Sequence, residues 1–279
     1  MATCNPVFSE TDSLEITGQK LLQLGEGEVQ LTKHYVPGIA LIVLHHPKRH
    51  NALSGRMMAQ LNDIVKQLEQ DQGDLVAVIM TGSAGKSFCA GLDLNFAREY
   101  LQDLAAAKAM NKFMHSVLSR FARLPLITVA SVAGPALGGG TELLTAFDFI
   151  CMHSQSYIRF VQTRMGVTSP WGGARRLMKQ IGRKEALRVM ASAPVLYAQE
   201  AKEIGLIDVI IPVELSSNRY ETCLAACVEF LKPFVTDDHG ARVAPDAVRG
   251  MKRLLTAADS EEQIEQDMLI FSQSNQSKL

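Results

Sequence analysis

The sequence predicts an α/β protein organised as one domain. Three observations carry this. Short, strongly apolar runs at residues 75–80 and 126–132 read as buried strands. These alternate with segments whose apolar residues recur every three or four positions, the period of a helix packed on one face. No Pro/Ser-rich linker and no strong repeat divides the 279 residues. A polar arm (1–27) leads into a core (28–200), and a helical region (201–279) belongs to the same domain.

Residues 28–34 and 39–44 read as two strands around the turn Pro37-Gly38. Ser54 supplies an N-cap for a helix whose stripe is Met57, Met58, Leu61, Ile64, Val65 and Leu68. After the strand at 75–80, residues 96–121 form one long helix or a helix pair, with Leu101, Leu104, Met114, Leu118 and Phe121 facing inward. The strand at 126–132 feeds the glycines Gly138-Gly139-Gly140, and a helix starts over 142–147. Strands follow at 147–152 and 157–161. Everything beyond Gly172 is expected to be mostly helical.

Composition narrows the function. With 47% hydrophobic and 20% charged residues the chain reads as a soluble globular protein, and a net charge of −1 without long basic blocks argues against nucleic-acid binding. No stretch approaches the ~18 apolar residues of a membrane span. Five cysteines (Cys4, Cys89, Cys151, Cys223, Cys227) lack metal-site spacing, so free thiols in a reducing compartment are expected, with no metal site. The first 20 residues have no arginine, carry Glu10, Asp12 and Glu15 and lack an apolar core, which argues against a secretory or mitochondrial leader. The tail Ser277-Lys278-Leu279 matches the address read by the peroxisomal import receptor.

Two chemistries can be weighed from the glycines. Gly82-Ser83-Ala84-Gly85-Lys86-Ser87 resembles the end of a phosphate-binding P-loop, but the glycine required five residues before Gly85 is Met80, and no helix opens after Lys86. The alternative is a pair of strand-adjacent turns, Ala90-Gly91-Leu92-Asp93-Leu94 and Gly138-Gly139-Gly140-Thr141-Glu142. Glycines there leave backbone N–H groups bare. Two such donors converging from separate turns would bind an oxygen that becomes negative during reaction.

Four motifs in register then mark a resemblance: Asn51-Ala52-Leu53-Ser54, Ser87-Phe88-Cys89-Ala90-Gly91-Leu92-Asp93-Leu94, Leu137-Gly138-Gly139-Gly140-Thr141-Glu142-Leu143 and Trp171-Gly172-Gly173-Ala174-Arg175-Arg176-Leu177. Together they resemble the enoyl-CoA hydratase/isomerase, or crotonase, superfamily over roughly residues 28–257. The resemblance implies a spiral of strand-strand-helix turns with a helical C-terminal region, a homotrimer or hexamer, and an acyl-CoA thioester as substrate, with coenzyme A part of the substrate and no separate cofactor. It implies that the amides of Leu92 and Gly139 bind the thioester oxygen and that the carbonyls of Ala90 and Leu94 face the adenine. Lys48, Arg49 and Lys86 become candidates for the CoA phosphates, beside their plain reading as solvated charges.

Hydratases of this superfamily use two glutamates. Glu142 matches the first, either as a catalytic group or as a carboxylate stabilised at a helix start. Four residues after Phe160, where the second is expected, stands Arg164. A permanently charged donor cannot replace an acceptor carboxylate in acid/base work, so plain hydration is disfavoured and Arg164 is expected near a substrate carboxylate.

Asn51-Ala52-Leu53-Ser54-Gly55-Arg56-Met57-Met58, Arg120-Phe121-Ala122-Arg123-Leu124-Pro125-Leu126-Ile127 and Ile158-Arg159-Phe160-Val161 resemble more narrowly the ethylmalonyl-CoA decarboxylase branch. That likeness implies CO2 loss from ethylmalonyl-CoA, with methylmalonyl-CoA as a second substrate, in the cytosol; the tail implies the peroxisome instead. Rival readings are an enoyl-CoA isomerase or hydratase of fatty-acid oxidation and a silent acyl-CoA-binding protein. The chain runs only a little past residues 261–271, so an altered subunit contact or a more open acyl pocket is expected.

Overall fold

The computed structural model describes residues 7–9, 11–83, 86–213 and 218–256. Its centre is a six-stranded sheet in the order β1 (Glu28–Val36), β2 (Ile39–His45), β3 (Ala77–Gly82), β4 (Ile127–Val132), β6 (Phe149–His153), β9 (Val209–Ile211). The β1–β2 hairpin is antiparallel and turns at Gly38 (φ +78°), and every other pairing in this sheet is parallel. A smaller sheet joins β5 (Ala136–Leu137), β7 (Tyr157–Arg159) and β8 (Leu196–Tyr197).

The apolar runs belong to strands covered on both faces, where alternate side chains must all be apolar. Ala40, Ile42 and Leu44 enter one core with Val78, Met80 and Ala130, while Ile39 and Leu41 enter a second with Ala77, Ile79 and Val129. The first core is closed by α2 (Gly55–Gln70), α3 (Leu94–Tyr100) and α4 (Leu104–Ala122). Ser54 caps α2 by accepting from Met57 N, and Asp103 caps α4 by accepting from Ala106 N. The second core is covered by α8 (Arg219–Val235), with Cys223, Leu224, Cys227 and Leu231 buried against β3, β4 and β6.

Helix α9 (Pro245–Thr256) docks through cations. Lys252 Nζ donates to Leu126 O (2.6 Å) and pairs with Asp148 Oδ2 (2.5 Å), and Arg249 donates to Gly73 O and Leu75 O. Burial pulls the Lys252 pKa down and the Asp148 carboxylate opposes it.

One expectation needs correction and two gain detail. The arm carries a helix: α1 (Leu14–Leu22), capped by Ser13, buries Thr17 and Leu21 against α2 and α4, and Phe8 is buried too. The chain after Gly172 is mostly helical, as expected. Between α6 (Gly173–Ser192), α7 (Ala198–Glu203) and α8 it supplies β8 and the sheet's last strand, β9. Finally, α5 (Gly139–Leu144) begins at the second glycine, not at Glu142. Cys4, residues 261–271 and the Ser277-Lys278-Leu279 tail lie outside the described residues.

Candidate active site

The first glycine turn is built on Asn51. This buried residue, at φ +56°, accepts from His46 N and Ser83 Oγ through Oδ1 and donates from Nδ2 to Ser83 O and Ser87 O. One side chain thereby fastens the β2 exit to the loop after β3. The strand-like stretch that follows is held by Leu53, whose N–H donates to Gly91 O (2.7 Å) and whose carbonyl accepts from Asp93 N (3.0 Å). These two bonds flank Leu92. In a parallel bridge of this pattern the middle residue's own N–H points the other way.

The second turn is set by Gly138, at φ +50° and ψ −117°, where a side chain would be strained. It places Gly139 at the first position of α5, whose N–H has no intrahelical acceptor. The two turns are in contact. A Cβ on Gly91 would lie 2.6 Å from Gly139 N and 2.9 Å from Leu137 O, and one on Gly139 would lie 2.6 Å from the Trp171 ring. Among the described residues neither Leu92 N–H nor Gly139 N–H has a protein acceptor.

Leu92 and Gly139 both line a cavity of about 320 Å³. Its walls are apolar, with Leu92, Met110, Val161, Met165 and Trp171 among them, and among the described residues Glu142 is its sole ionisable lining residue. Glu142 is 1% exposed. Its Oε2 accepts from Gly173 N (2.9 Å) at the start of α6, and its Oε1 faces Gln162 Nε2 (3.4 Å). Burial pushes its pKa up, against the pull of Ser169, the Arg176 charge, Gly173 N–H and Gln162. Trp171 donates to Asn111 Oδ1 (2.9 Å) from α4, which pins the indole over Gly139. Burial pushes the nearby Cys89 thiol up to about 12, so it is no nucleophile at neutral pH.

The Glu142 shift has a consequence for stability. A carboxyl whose folded pKa is raised contributes stability that is fully present below its ordinary value of 4.5 and is lost as pH rises through the folded value. Glu142→Gln, which keeps an acceptor for Gly173 N–H, should therefore melt about 2–4 °C higher than wild type at pH 8. The gap should close at pH 4. Thermal scans at both values check this, and a variant less stable at pH 8 would refute it.

The structure brings Leu92, Gly139, Glu142, Ala90 and Leu94 to this one cavity. It does not bring Arg164 there. Residues Gln162–Met165 form a 3₁₀ helix, in which residues three apart share a face. Gln162 and Met165 accordingly line the cavity, while Arg164 is exposed and donates to Ser192 O (2.8 Å) at the end of α6. Arg164→Ala should thus change kcat less than about twofold, as expected of a surface substitution. A tenfold loss would restore it to the site.

The three proposed phosphate contacts stand apart from the apolar cavity. Lys48 and Arg49 are exposed on the 3₁₀ turn Pro47–Arg49, and Lys86 is exposed with its backbone against Gly134. Arg49 borders a second, polar cavity of about 340 Å³ with His46, Asp93 and Glu99.

Sequence reasoning missed Gln162 and Asn111. Each left a trace: Gln162 is a polar residue directly after the apolar pair Phe160-Val161, and Asn111 interrupts the inward stripe of α4 between Met110 and Met114.

Comparison with known proteins follows this geometry. The family model described as Enoyl-CoA hydratase/isomerase matches residues 35–275. The chain belongs to the enoyl-CoA hydratase/isomerase family. It is 40% identical over 240 residues to the ethylmalonyl-CoA decarboxylase of Bos taurus, covering 86% of this chain and 74% of that protein. It is 38% identical over 234 residues to the Homo sapiens protein of the same name, covering 84% and 71%. A crystal structure of an enoyl-CoA hydratase from Bacillus anthracis shares the fold, with a TM-score of 0.73 at 24% identity over 90% of each chain. The crotonase-like α/β architecture with its helical C-terminal region is therefore the architecture of this family member.

Proposed function

We propose that this protein is an acyl-CoA decarboxylase that converts ethylmalonyl-CoA to butyryl-CoA and CO2, with methylmalonyl-CoA as a second substrate. The observation that carries the reading is the cavity itself: among the described residues it is lined by Leu92 and Gly139, whose amides have no protein acceptor, by apolar walls, and by a single carboxylate. The decarboxylase relatives supply the substrate.

The reaction needs no general base. The C2–carboxylate bond, held perpendicular to the thioester plane, breaks and leaves its electron pair in a thioester enolate as CO2 departs. Leu92 N–H and Gly139 N–H would face the enolate oxygen. Fixed donors in a site closed to water favour developing charge, and removing one from such a pair costs about 3 kcal/mol. Apolar walls formed by Leu92, Met110 and Val161 disfavour the substrate carboxylate relative to neutral CO2. A proton then completes C2. Hydration, by contrast, requires two carboxylates around one water. Here Glu142 has Gln162 beside it, not a second acid.

Mass-spectrometric analysis of the purified protein incubated with ethylmalonyl-CoA should show butyryl-CoA accumulating with equimolar CO2. Unchanged ethylmalonyl-CoA would sink the reading. A homotrimer or hexamer is proposed with it, to be read by light scattering. Imaging with a free C-terminus, with and without Ser277-Lys278-Leu279, decides between cytosol and peroxisomal matrix.

A further inference from the structure

We propose that Gln162 is a positioning residue that holds the Gly138–Gly139 peptide so that the Gly139 N–H points into the cavity. The inference rests on the oxyanion role assigned to Gly139 above. It adds a residue and a means by which that role is fulfilled.

A trans peptide is planar, with its C=O and N–H on opposite edges, so fixing the carbonyl of Gly138 fixes the direction of the Gly139 N–H. That carbonyl is held by four donors: Thr141 N (2.9 Å), Glu142 N (3.3 Å), Thr141 Oγ1 (2.6 Å) and Gln162 Nε2 (3.2 Å). The three from Thr141 and Glu142 lie within the first turn of α5 and turn with it. Only Gln162 reaches in from a separate element, the 3₁₀ helix after β7, and can register the turn against the rest of the cavity wall. Donors on a carbonyl also polarise its peptide, which strengthens the N–H on the far side as a donor.

The second observation concerns the other end of the same amide. Gln162 is 7% exposed, and its Oε1 is buried without a hydrogen-bond partner among the described residues. The acceptor on Gly138 requires that Nε2, not Oε1, faces it, so reversing the amide does not relieve this. A buried unpaired acceptor is a net loss for the fold. The Nε2 of the same amide also lies 3.4 Å from Thr141 Oγ1 and 3.4 Å from Glu142 Oε1, which fits a group kept for the geometry of the site and not for stability.

Acetoacetyl-CoA tests this without requiring turnover, because its enolate absorbs in the near ultraviolet and a site that stabilises enolates raises the enolate fraction on binding. Wild type should show that band at saturating ligand. Gln162→Met, close in size but without the donor, should shift the ketone–enolate equilibrium about tenfold toward the ketone, somewhat less than the loss of a whole oxyanion donor. Butyryl-CoA affinity should stay within about threefold, and the melting temperature should hold or rise because the orphaned Oε1 is gone. Thr141→Val acts on the same carbonyl, so the double variant should lose less than the product of the two single losses. Thr141→Ser, which keeps the hydroxyl, should restore the band.

Equal enolate bands in wild type and Gln162→Met would overturn the proposal, as would a wild type that shows no band. So would a Gln162→Met protein that loses melting temperature and butyryl-CoA affinity together, the mark of a purely structural role. The decarboxylase reading is decided separately, by CO2 release from wild type.

Discussion

Gly91→Ala is expected to lower kcat for decarboxylation by about 10³-fold while leaving a folded protein. Two effects combine. At φ +96° a side chain strains the backbone by about 1–3 kcal/mol. The larger effect is steric: the new methyl would lie 2.6 Å from Gly139 N and 2.9 Å from Leu137 O, both backbone atoms that no rotamer change can move aside. The turns must separate, and the Leu92 and Gly139 amides, proposed to face one enolate oxygen, would then move apart. Losing their joint action removes the largest electrostatic contribution such a site supplies. Gly205→Ala is the matched control. Its φ is +78° and nothing lies within 4 Å of the added Cβ, so it carries the backbone strain alone. Circular dichroism and steady-state kinetics on both variants separate the two effects. A Gly91→Ala enzyme within tenfold of wild type would mean that the two turns do not act together.

Trp171→Ala is expected to have the largest effect on stability, about 3–5 kcal/mol, as for other buried aromatic truncations. The indole is 2% exposed and joins three parts of the site: its ring lies against Gly139, its Nε1 donates to Asn111 Oδ1, and its carbonyl accepts from Arg176. Truncation leaves Asn111 Oδ1 without its donor and removes the wall that keeps the second turn against the first. Denaturant titration should show the loss in midpoint, and kcat should fall more than tenfold because Gly139 relaxes into the vacated volume. Trp171→Phe keeps a buried aromatic ring but loses the hydrogen bond and the outer-ring atoms that lie against Gly139. It should recover more than half of the stability. A Trp171→Ala protein with wild-type kcat would show that Gly139 needs no support from this side.

The sequence revealed the elements whose physics is local or repetitive. The double-sided apolar strands and the Ser54 cap sit where period and capping chemistry place them. The two glycine turns were legible for the same reason, since strand and helix signals around them leave little choice of path. Elements that depend on tertiary contact were not. Helix α1 has nine residues and only two fully buried, so its stability comes from α2 and α4, not from its own pattern. Strand β9 is three residues long and pairs only because β6 offers an edge. Arg164 stands where the resemblance expects a second glutamate, four residues after Phe160, but a 3₁₀ turn there rotates residue 162 inward and residue 164 out. Gln162, the residue that replaced it at the site, is recognisable only once that rotation is known.

The central claim is that two free amides with one carboxylate favour breaking a C–COO⁻ bond over adding water. One preparation, assayed for kcat/KM on ethylmalonyl-CoA and on crotonyl-CoA under the same conditions, tests it most directly. The account predicts CO2 release from the first, suppressed by Gly91→Ala, and hydration of the second at least about a hundredfold slower, the scale of a missing acid/base partner. Efficient hydration of crotonyl-CoA without decarboxylation of ethylmalonyl-CoA would contradict it.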